Sequence, residues 1–512
     1  MAAALLFVLS SANAADWIKA ESENFVFYGE VQPKVASDML EELELFRGTV
    51  LTLMGAERSP EVRKVHVFGE PDARGVQKLT GLDGIAGVYT NANDYPLFVT
   101  IANRKASRDR TGMMVSLHEL SHHIIHGHRA QFYPRWYDEG FAEYLSTFRV
   151  EEDTVAVGDP ASRFGPILNR RGWTDIDLVL GAVAEYPFES GGHVQGLRAN
   201  YFYAMSWLSV HKILSTPELG QHLGDYITAI NEGQEAEAAF EGAFGMSLRE
   251  FRREIGAYWR ADAFPVTRFK ITDALADTDV TVTPISETQA LIAQSEVRAT
   301  FTPKGRDLEK AKRDIEDLLA ATGPDARLYN SLKVLALKAG RADEAVAVGE
   351  RAMEALPDDP LAIQTLADAL YHRWGIRGGR PDNDGLVRAL TLFERQLALE
   401  PTNPTANGHL PDAYLQTGTA PTQTVVNAVA FNLAYKPSPS QYAAYLDGAE
   451  IMGQLGAHAE RCALLGTVAP WIRAADEALN DEARKRVTRR GETPCQRLER
   501  IGAGYGEACE GA

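Results

Sequence analysis

The residues best suited to chemistry in this sequence are His118, Glu119 and His122, within the segment Ser116-Leu-His-Glu-Leu-Ser-His122. The surrounding run, residues 113–125, is largely apolar and predicts a buried helix. Residues four apart lie one turn apart on the same helix face, so the two imidazoles could hold one Zn²⁺. Glu119 would project roughly 100° further round, where it could reach a water on the metal more easily than the metal itself.

A third ligand is needed, because an H-E-x-x-H pattern can arise by chance and a catalytic zinc site has three protein ligands. A second helix is predicted to begin near Pro134, with an apolar side formed by Trp136, Phe141, Ala142 and Leu145. Glu139 follows His122 by 17 residues, which is enough for the chain to turn and return. Glu143 lies one turn further on the same face and could orient a ligand histidine. We favour Glu139 as the ligand because the next residue, Gly140, would leave room for the metal and its water.

The two motifs together, HELSH and W-x-x-E-G-F-A-E-Y, resemble the gluzincins, which are zinc metallopeptidases with two His and one Glu ligand. The resemblance is closest to the peptidase MA-like bacterial proteins, which carry tetratricopeptide repeats behind the protease. It covers roughly residues 16–265, with sharp motifs at 113–145 and a weaker one at 198–214. It implies an α+β metallopeptidase domain built from a small mixed sheet and helices.

The resemblance also implies roles for individual residues. His118, His122 and Glu139 would be the ligands of one Zn²⁺ per chain, and Glu119 would be the general base. Glu143 would support a ligand histidine from outside the metal shell.

One departure from the gluzincin pattern bears on the substrate. Gluzincin aminopeptidases carry a G-x-M-E-N-type segment whose glutamate captures the free amine of the substrate, and residues 87–91, Gly-Val-Tyr-Thr-Asn, lack that acid. The sequence therefore favours an endopeptidase acting on polypeptides.

A tyrosine could complete the site. Residues 200–214 predict an apolar helix that resembles the Y-A-x-S-W helix of the peptidase MA-like group, with Tyr203 on the matching tyrosine. A tyrosine hydroxyl can stabilise the oxyanion formed during hydrolysis. Tyr203 is the first choice and Tyr201 the reserve, and a plain core role for Tyr203 is the alternative.

The remaining histidines near the motif are predicted to be surface or core residues rather than ligands. These are His126, His128 and His193, and His123 should point elsewhere because it is adjacent to His122.

Several elements should position the motif. Strands are predicted at residues 25–28, 65–68, 84–89 and 97–101, with an amphipathic helix at 33–54. Gluzincins bind extended substrate along an edge strand in this place, by backbone pairing. Either 97–101 or 87–90 could be that edge, or both could be core strands. Residues 217–262 predict two more helices.

The C-terminal part of the chain, from about residue 285, shows a sequence pattern typical of repeated helical hairpins. Pro324, Pro357, Pro401 and Pro437 recur at intervals of 33, 44 and 36 residues, and the long interval contains the insertion at 374–384. A period near 34 with two helices per unit predicts an all-α tetratricopeptide-repeat solenoid, which would bind a protein partner or the substrate.

The N-terminus resembles a signal peptide. Residues 2–9 are apolar and Ala12-Asn-Ala14 offers a cleavage site, although no Lys or Arg precedes the apolar run. The alternative is a buried N-terminal strand. The sequence predicts an exported protein, periplasmic or secreted, and no later segment is apolar enough to span a membrane.

The net charge of the chain limits the classes of partner that it could bind. The net charge of −18 and the pI near 5.2 argue against nucleic acid or an anionic membrane surface. The three cysteines, Cys462, Cys495 and Cys509, lie far from the histidines, so none is a ligand of this zinc. In an oxidising compartment Cys462 could pair with Cys495 or with Cys509.

The sequence thus predicts a signal peptide at 1–14, a zinc metallopeptidase-like domain at 15–264, a linker at 265–284, a repeat solenoid at 285–480 and a polar C-terminal tail at 481–512. The alternative is a protease-like scaffold of no or very low turnover that assembles envelope proteins through its repeats. An intact Glu119 argues against that alternative, because a protein without catalysis has no need of this carboxylate.

Overall fold

The structure is a computed structural model that describes residues 17–90, 95–102, 111–128, 131, 133–160, 164–169, 176–181, 193–272, 278–374, 383–435, 442–478 and 493–503. The part of the chain before residue 285 mixes strands and helices, and the part after it is helical. The predicted combination of a small mixed sheet with a helical, repeat-like region is confirmed at this level.

Among the described residues, the main sheet has six strands. They are β1 Trp17–Glu21, β2 Phe25–Glu30, β3 Val65–Glu70, β4 Gly87–Thr90, β5 Leu97–Ile101 and β9 Thr281–Pro284. Their order across the sheet is β4-β5-β3-β2-β1-β9. β2, β3 and β5 are parallel neighbours, whereas β1 and β4 run antiparallel to β2 and β5. β4 therefore forms one end of the sheet, and β5 is internal. Of the two predicted substrate edges, residues 97–101 are excluded by this order and residues 87–90 remain.

A second, three-stranded antiparallel sheet lies further along the chain. Its strands are β6 Arg149–Glu151, β7 Thr154–Val157 and β8 Thr267–Lys270. β7 is central, and its Val155 and Val157 are fully buried. This second sheet therefore fixes residues 149–157, which follow the helix predicted to begin near Pro134.

Eleven helices are described before residue 285. They are α1 Pro33–Met54, α2 Ala73–Thr80, α3 Thr111–His128, α4 Arg135–Ser146, α5 Gly165–Leu168, α6 Ile176–Gly181, α7 His193–Leu214, α8 Pro217–Gly220, α9 Leu223–Asn231, α10 Ala236–Phe244 and α11 Leu248–Ala261. α1 has the predicted bounds, since Pro33 begins it and Gly55 ends it with φ 60°. Its Leu40, Leu43 and Phe46 are buried in the core beneath the main sheet.

The prediction of two helices over residues 217–262 was wrong, because four helices occupy this stretch. Gly233 follows α9 with φ 82° and Gly245 caps α10 with φ 68°. Both angles are left-handed, and a left-handed residue ends a helix. The apolar periodicity continues across these breaks, which is why the helices were predicted to be fewer and longer.

Eleven further helices are described after residue 285. They are α12 Glu287–Phe301, α13 Arg306–Thr322, α14 Ala326–Lys338, α15 Ala342–Ala355, α16 Pro360–Trp374, α17 Asn383–Leu399, α18 Pro404–Thr417, α19 Gln423–Tyr435, α20 Tyr442–Gln454, α21 His458–Ala478 and α22 Pro494–Ala503. The helices α12, α14, α16, α18 and α20 contact one another in sequence and form one layer. We call this the inner layer.

Contacts between equivalent helices recur at the spacing of the repeat. Ser295 and Ser331 are hydrogen-bonded across 36 residues, and Lys333 pairs with Asp368 across 35. Outside this layer, Arg388 donates to Glu350 across 38 residues. The recurrence indicates that neighbouring hairpins stack in the same way.

The predicted linker at 265–284 differs from the structure. β8 and β9 lie in this segment and complete the two sheets by pairing with β7 and β1. Short polar strands such as Thr281–Pro284 carry little local pattern, and their stability comes from the distant strand with which they pair. For this reason the segment was predicted to be irregular, although β8 and β9 are regular strands within it.

The predicted polar tail at 481–512 also contains structure. α22 packs on α20 and α21 through Leu498 and Ile501. Arg497 pairs with Asp447 at 2.7 Å, so its charge is neutralised as the helix docks. The helix was not predicted because its few apolar residues are outnumbered by charged ones.

Some predictions concern residues outside the described ones. The proposed signal peptide at 1–14 and Cys509 are among them. Cys462 is disulfide-bonded. Within the described ranges, no helix is long and apolar enough to cross a membrane.

Candidate metal centre

Helix α3 places the two motif histidines side by side. His118 and His122 lie one turn apart, and their Nε2 atoms are 3.3 Å from each other. The rings are 79° from parallel with centroids 4.9 Å apart, so both present Nε2 to the same point. The buried residues Leu117, Leu120 and Ile124 hold the opposite face of α3 in the core.

Helix α4 brings a carboxylate to that point. Oε2 of Glu139 lies 3.1 Å from Nε2 of His118 and 3.3 Å from Nε2 of His122. The other oxygen, Oε1, accepts an ion pair from Arg135 at 2.7 Å. Glu139 is thus fixed with one oxygen turned to the histidines. The structure brings together His118, His122 and Glu139, which the sequence predicted as ligands.

The spacing of these three atoms can be compared with that of a metal site. In a tetrahedral zinc site with bonds near 2.0 Å, neighbouring ligand atoms are about 3.3 Å apart. The three distances here are 3.1, 3.3 and 3.3 Å. Two imidazoles and a carboxylate also match the donors that zinc takes in catalytic sites. The spacing and the donor types of the three side chains therefore fit a zinc ion.

Each histidine also has a carboxylate behind it. Nδ1 of His122 lies 3.1 Å from Oδ1 of Asp138, and Nδ1 of His118 lies 3.6 Å from Oε1 of Glu143. A proton held on Nδ1 leaves the Nε2 lone pair directed at the common point. Asp138 and Glu143 thus favour the tautomer that a metal ligand requires. For Glu143 this is the predicted placement.

The carboxylates of the site are buried yet charged. Burial alone would raise the pKa of Glu139, but when no metal is bound the hydrogen bonds that His118 and His122 donate through Nε2 outweigh it and, with Arg135, hold the pKa at about 2. Burial likewise acts to raise the pKa of Asp138, but the nearby charges of His122 and His126 hold it well below its usual range. Both carboxylates are therefore ionised at neutral pH, which is the form in which a carboxylate binds a metal.

Three residues of the site were not predicted from the sequence, namely Arg135, His126 and Asp138. Nε2 of His126 hydrogen-bonds Asp138 at 3.1 Å, so this histidine supports the site from outside and is not in the triad. The i, i+4 spacing of His122 and His126 was the available indication. Asp138 escaped notice because an acid in the first turn of a helix is common without any site.

The other histidines lie apart from the triad. His123 contacts Glu61 at 3.3 Å, in the predicted different direction, and Nδ1 of His128 contacts the carbonyl of Ile124 at 2.8 Å. The side chain of His193 is outside the described residues.

Glu119 lies beside the end strand of the main sheet. Its side chain is half-buried. Burial raises the pKa of the Tyr89 hydroxyl on β4, and the negative charge of Glu119 raises it further. The two groups are therefore within electrostatic reach of each other. β4 also packs against α3, the helix that carries Glu119 and both histidines of the triad.

Helix α7 contributes an aromatic side chain. The ring of Tyr203 stands edge-on to His118, with centroids 6.1 Å apart and planes at 72°. Tyr203 is half-buried and lies next to the triad, whereas its neighbours Phe202 and Ala204 are fully buried. Tyr203 therefore lies beside His118, and its role in stabilising an oxyanion stays a prediction.

The proposed reason for choosing Glu139 was wrong in one respect. A Cβ on Gly140 would lie 2.4 Å from the carbonyl oxygen of Ser206 on α7. Gly140 therefore permits close contact between α4 and α7 and does not make room for a metal. The choice of Glu139 itself rests on the oxygen-to-nitrogen distances.

No protein-family model matches the chain, and no curated protein matches it. Among solved structures the chain is similar to a thermophilic TPR protein of Thermus thermophilus, at 16% sequence identity, over 34% of this chain and 92% of that chain. The TM-score is 0.26, which is too low to carry any argument about this chain.

Proposed function

We propose that the protein is a zinc-dependent endopeptidase of gluzincin type, with His118, His122 and Glu139 as the metal ligands. The observation that supports this most directly is the meeting of two Nε2 atoms and one carboxylate oxygen at 3.1 to 3.3 Å. One zinc per triad is expected.

The roles of the remaining residues follow from their positions. When bound, Zn²⁺ supplies a Lewis acid that polarises the scissile carbonyl and lowers the pKa of water to about 7. Glu119, which follows the ligand His118 and is half-buried beside β4, takes the proton of the attacking water and passes it to the leaving amine nitrogen. The Tyr203 hydroxyl donates to the oxyanion of the tetrahedral intermediate.

The substrate would be a polypeptide in extended conformation. β4 ends the main sheet next to Glu119 and can pair with an added strand through its backbone. The segment at residues 87–91 lacks an acid that would fix a free amine. Cleavage within a chain is therefore favoured over removal of a terminal residue.

The rear half would be a tetratricopeptide-type solenoid that binds a protein partner or presents substrate. Its support is the repeat spacing of 35 to 38 residues between contacts of equivalent helices. Export to the periplasm or the medium is proposed on the N-terminal pattern, and the disulfide at Cys462 suits an oxidising compartment.

The substitution Glu119→Gln tests the enzyme against a non-catalytic scaffold. The amide has nearly the same shape but cannot act as a base, so hydrolysis of unfolded polypeptides should fall by several orders of magnitude while zinc content is unchanged. Glu241→Gln, at an exposed position on α10, is the matched control and should keep full activity.

Two outcomes would overturn parts of the proposal. Equal inactivity of wild type and Glu119→Gln against a broad peptide library would favour the scaffold. Equal activity of the two would remove Glu119 from the mechanism.

A further inference from the structure

A second cluster of metal-binding side chains lies far from the first, in the inner layer of the repeat region. Asp368 and His372 are one turn apart on α16, and His409 comes from α18 of the next hairpin. Nε2 of His372 and Nε2 of His409 are each 3.2 Å from the same oxygen, Oδ1 of Asp368. Both distances lie within the 3.1 to 3.3 Å range of the triad at His118, His122 and Glu139. All three possible ligand atoms of the second cluster lie within 4.8 Å of one another.

The shared oxygen lacks a well-aligned donor. Oδ1 of Asp368 is buried, and among the described residues no group makes a hydrogen bond of normal geometry to it, although both imidazoles are close. Asp368 itself is only 6% exposed. The two imidazoles are close enough to pair with this buried oxygen but are poorly aligned to donate to it, and a cation held between the three groups would satisfy all of them.

The second oxygen of the same carboxylate is already occupied. Oδ2 of Asp368 accepts an ion pair from Lys333 of α14, which is also buried. This leaves Oδ1 as the single oxygen for a ligand role, in the way that Arg135 leaves one oxygen of Glu139. The positive charge of Lys333 would weaken cation binding, so moderate affinity is expected.

The ring of His409 is held in place before any ion arrives. It stacks on Tyr371, with centroids 4.2 Å apart and planes at 25°. The Tyr371 hydroxyl in turn donates to Asp412 at 2.5 Å. A preorganised imidazole loses little side-chain entropy when it binds a ligand.

The site is also reachable. The side chains of His372 and His409 are 33% and 24% exposed, so an ion could enter from solvent without opening the helical stack. Another group of possible ligands, His122, His126 and Asp138, differs because both its histidines hydrogen-bond Asp138. That group belongs to the surroundings of the first triad.

We propose that Asp368, His372 and His409 form a second metal site, which takes a divalent transition ion with a preference for nitrogen and oxygen donors, such as Zn²⁺ or Co²⁺. The ion would join α16 to α18 and so fasten two neighbouring hairpins together. The proposal does not depend on the peptidase function. It requires only that the repeat region be folded.

The test uses the full-length chain with His122→Ala, which weakens the first site, and the same chain with His372→Asn added. Both are stripped of metal and titrated with Co²⁺, and bound metal is measured after gel filtration. We expect the second protein to bind one equivalent less than the first, with loss of the visible absorption of nitrogen-bound cobalt. His222→Asn, at an exposed histidine whose ring contacts Asp225 and Gln221 on the protein surface, is the control and should change nothing.

Stability gives an independent readout. Zn²⁺ should raise the midpoint of thermal unfolding of the repeat region in His122→Ala by several degrees, and His372→Asn should abolish the rise. The two proteins should unfold alike in chelator, which shows that the substitution does not damage the fold. Equal metal content with and without His372 would overturn the proposal, and so would an equal rise in the midpoint. Because the comparison is a difference between two proteins, its result is separate from whether the first site holds zinc.

Discussion

Glu139 and Glu143 share one face of α4, and both are 3% exposed, yet the structure distinguishes them. Glu139 places an oxygen 3.1 Å from Nε2 of His118, whereas Glu143 approaches the opposite nitrogen, Nδ1, at 3.6 Å. We therefore expect Glu139→Ala to empty the first site. Glu143→Ala should weaken zinc binding or activity by roughly 10- to 100-fold, because only the support of a ligand is lost.

The measurement is zinc affinity by competition with a chromogenic chelator, in a background with His372→Asn so that one site is followed. Asp138→Ala provides a matched comparison, since Asp138 supports His122 as Glu143 supports His118. A larger loss from Glu143→Ala than from Glu139→Ala would exchange the two roles. Negligible losses from both would place the third ligand elsewhere.

For individual residues, the sequence was informative where the helical spacing of side chains matched the spacing and donor types that a metal ion requires. His118, His122 and Glu139 were predicted because helical periodicity and the demands of a metal leave few alternatives. Arg135 and Asp138 were not, since a charged residue on a helix usually faces solvent. Their roles depend on how α4 is rotated against α3, and that rotation is set by packing across both helices.

At the scale of elements, the site depends on how closely α4 approaches α7. A Cβ on Gly140 would lie 2.4 Å from the Ser206 carbonyl oxygen, a backbone atom that cannot move aside alone. Gly140→Ala should therefore push α4 away, destabilise the protein by about 1 to 3 kcal/mol and lower zinc affinity, because Glu139 moves with the helix. Chemical denaturation and zinc competition measure the two effects.

The control is another helical glycine. Gly242 on α10 has open space where a Cβ would stand, so Gly242→Ala should stabilise the protein by about 0.5 to 1 kcal/mol and leave zinc affinity unchanged. If Gly140→Ala behaved like this control, α4 would not be held by its contact with α7.

Elements whose ends are marked by nearby residues could be predicted from the sequence, whereas elements that depend on distant strands could not. α1 was found with its bounds because Pro33 and Gly55 mark its ends locally. β8 and β9 were missed because each is four residues long and gains its hydrogen bonds from strands more than 100 residues away. Local pattern reports on local interactions, and these strands have few.

At the scale of the whole molecule, the two predicted domains share a core. Ala293 and Val297 of α12 pack against Val26, Phe68 and Val99 of the main sheet. α12 is the first helix of the predicted solenoid, yet it covers one face of the sheet that borders the site. The boundary at residue 285 therefore marks a change in sequence pattern, but the hydrophobic core continues across it.

A polar network fastens the same junction. Glu296 of α12 accepts hydrogen bonds from the Tyr95 hydroxyl, just before β5, and from Arg327 of α14 at 2.6 Å. The Arg327 guanidinium also lies 5.9 Å from the ring centre of Tyr28 on β2. The sheet, α12 and α14 are thus tied through one buried carboxylate, and the position of the solenoid relative to the site is fixed at its base.

A shortened chain should reveal this shared core. Residues 15–284 contain the predicted peptidase domain and linker but lack α12, so the apolar sheet face around Phe68 and Val99 would meet water. We expect this chain to aggregate, to bind a hydrophobic dye and to unfold without a cooperative transition. Residues 15–304, which restore α12, should be more soluble and unfold cooperatively, because the helix buries that face again. Size-exclusion chromatography and thermal unfolding compare the two. If the chain ending at residue 284 were monomeric and as stable as the longer one, α12 would contribute nothing to the front half, and the boundary drawn from the sequence would also be the boundary of folding.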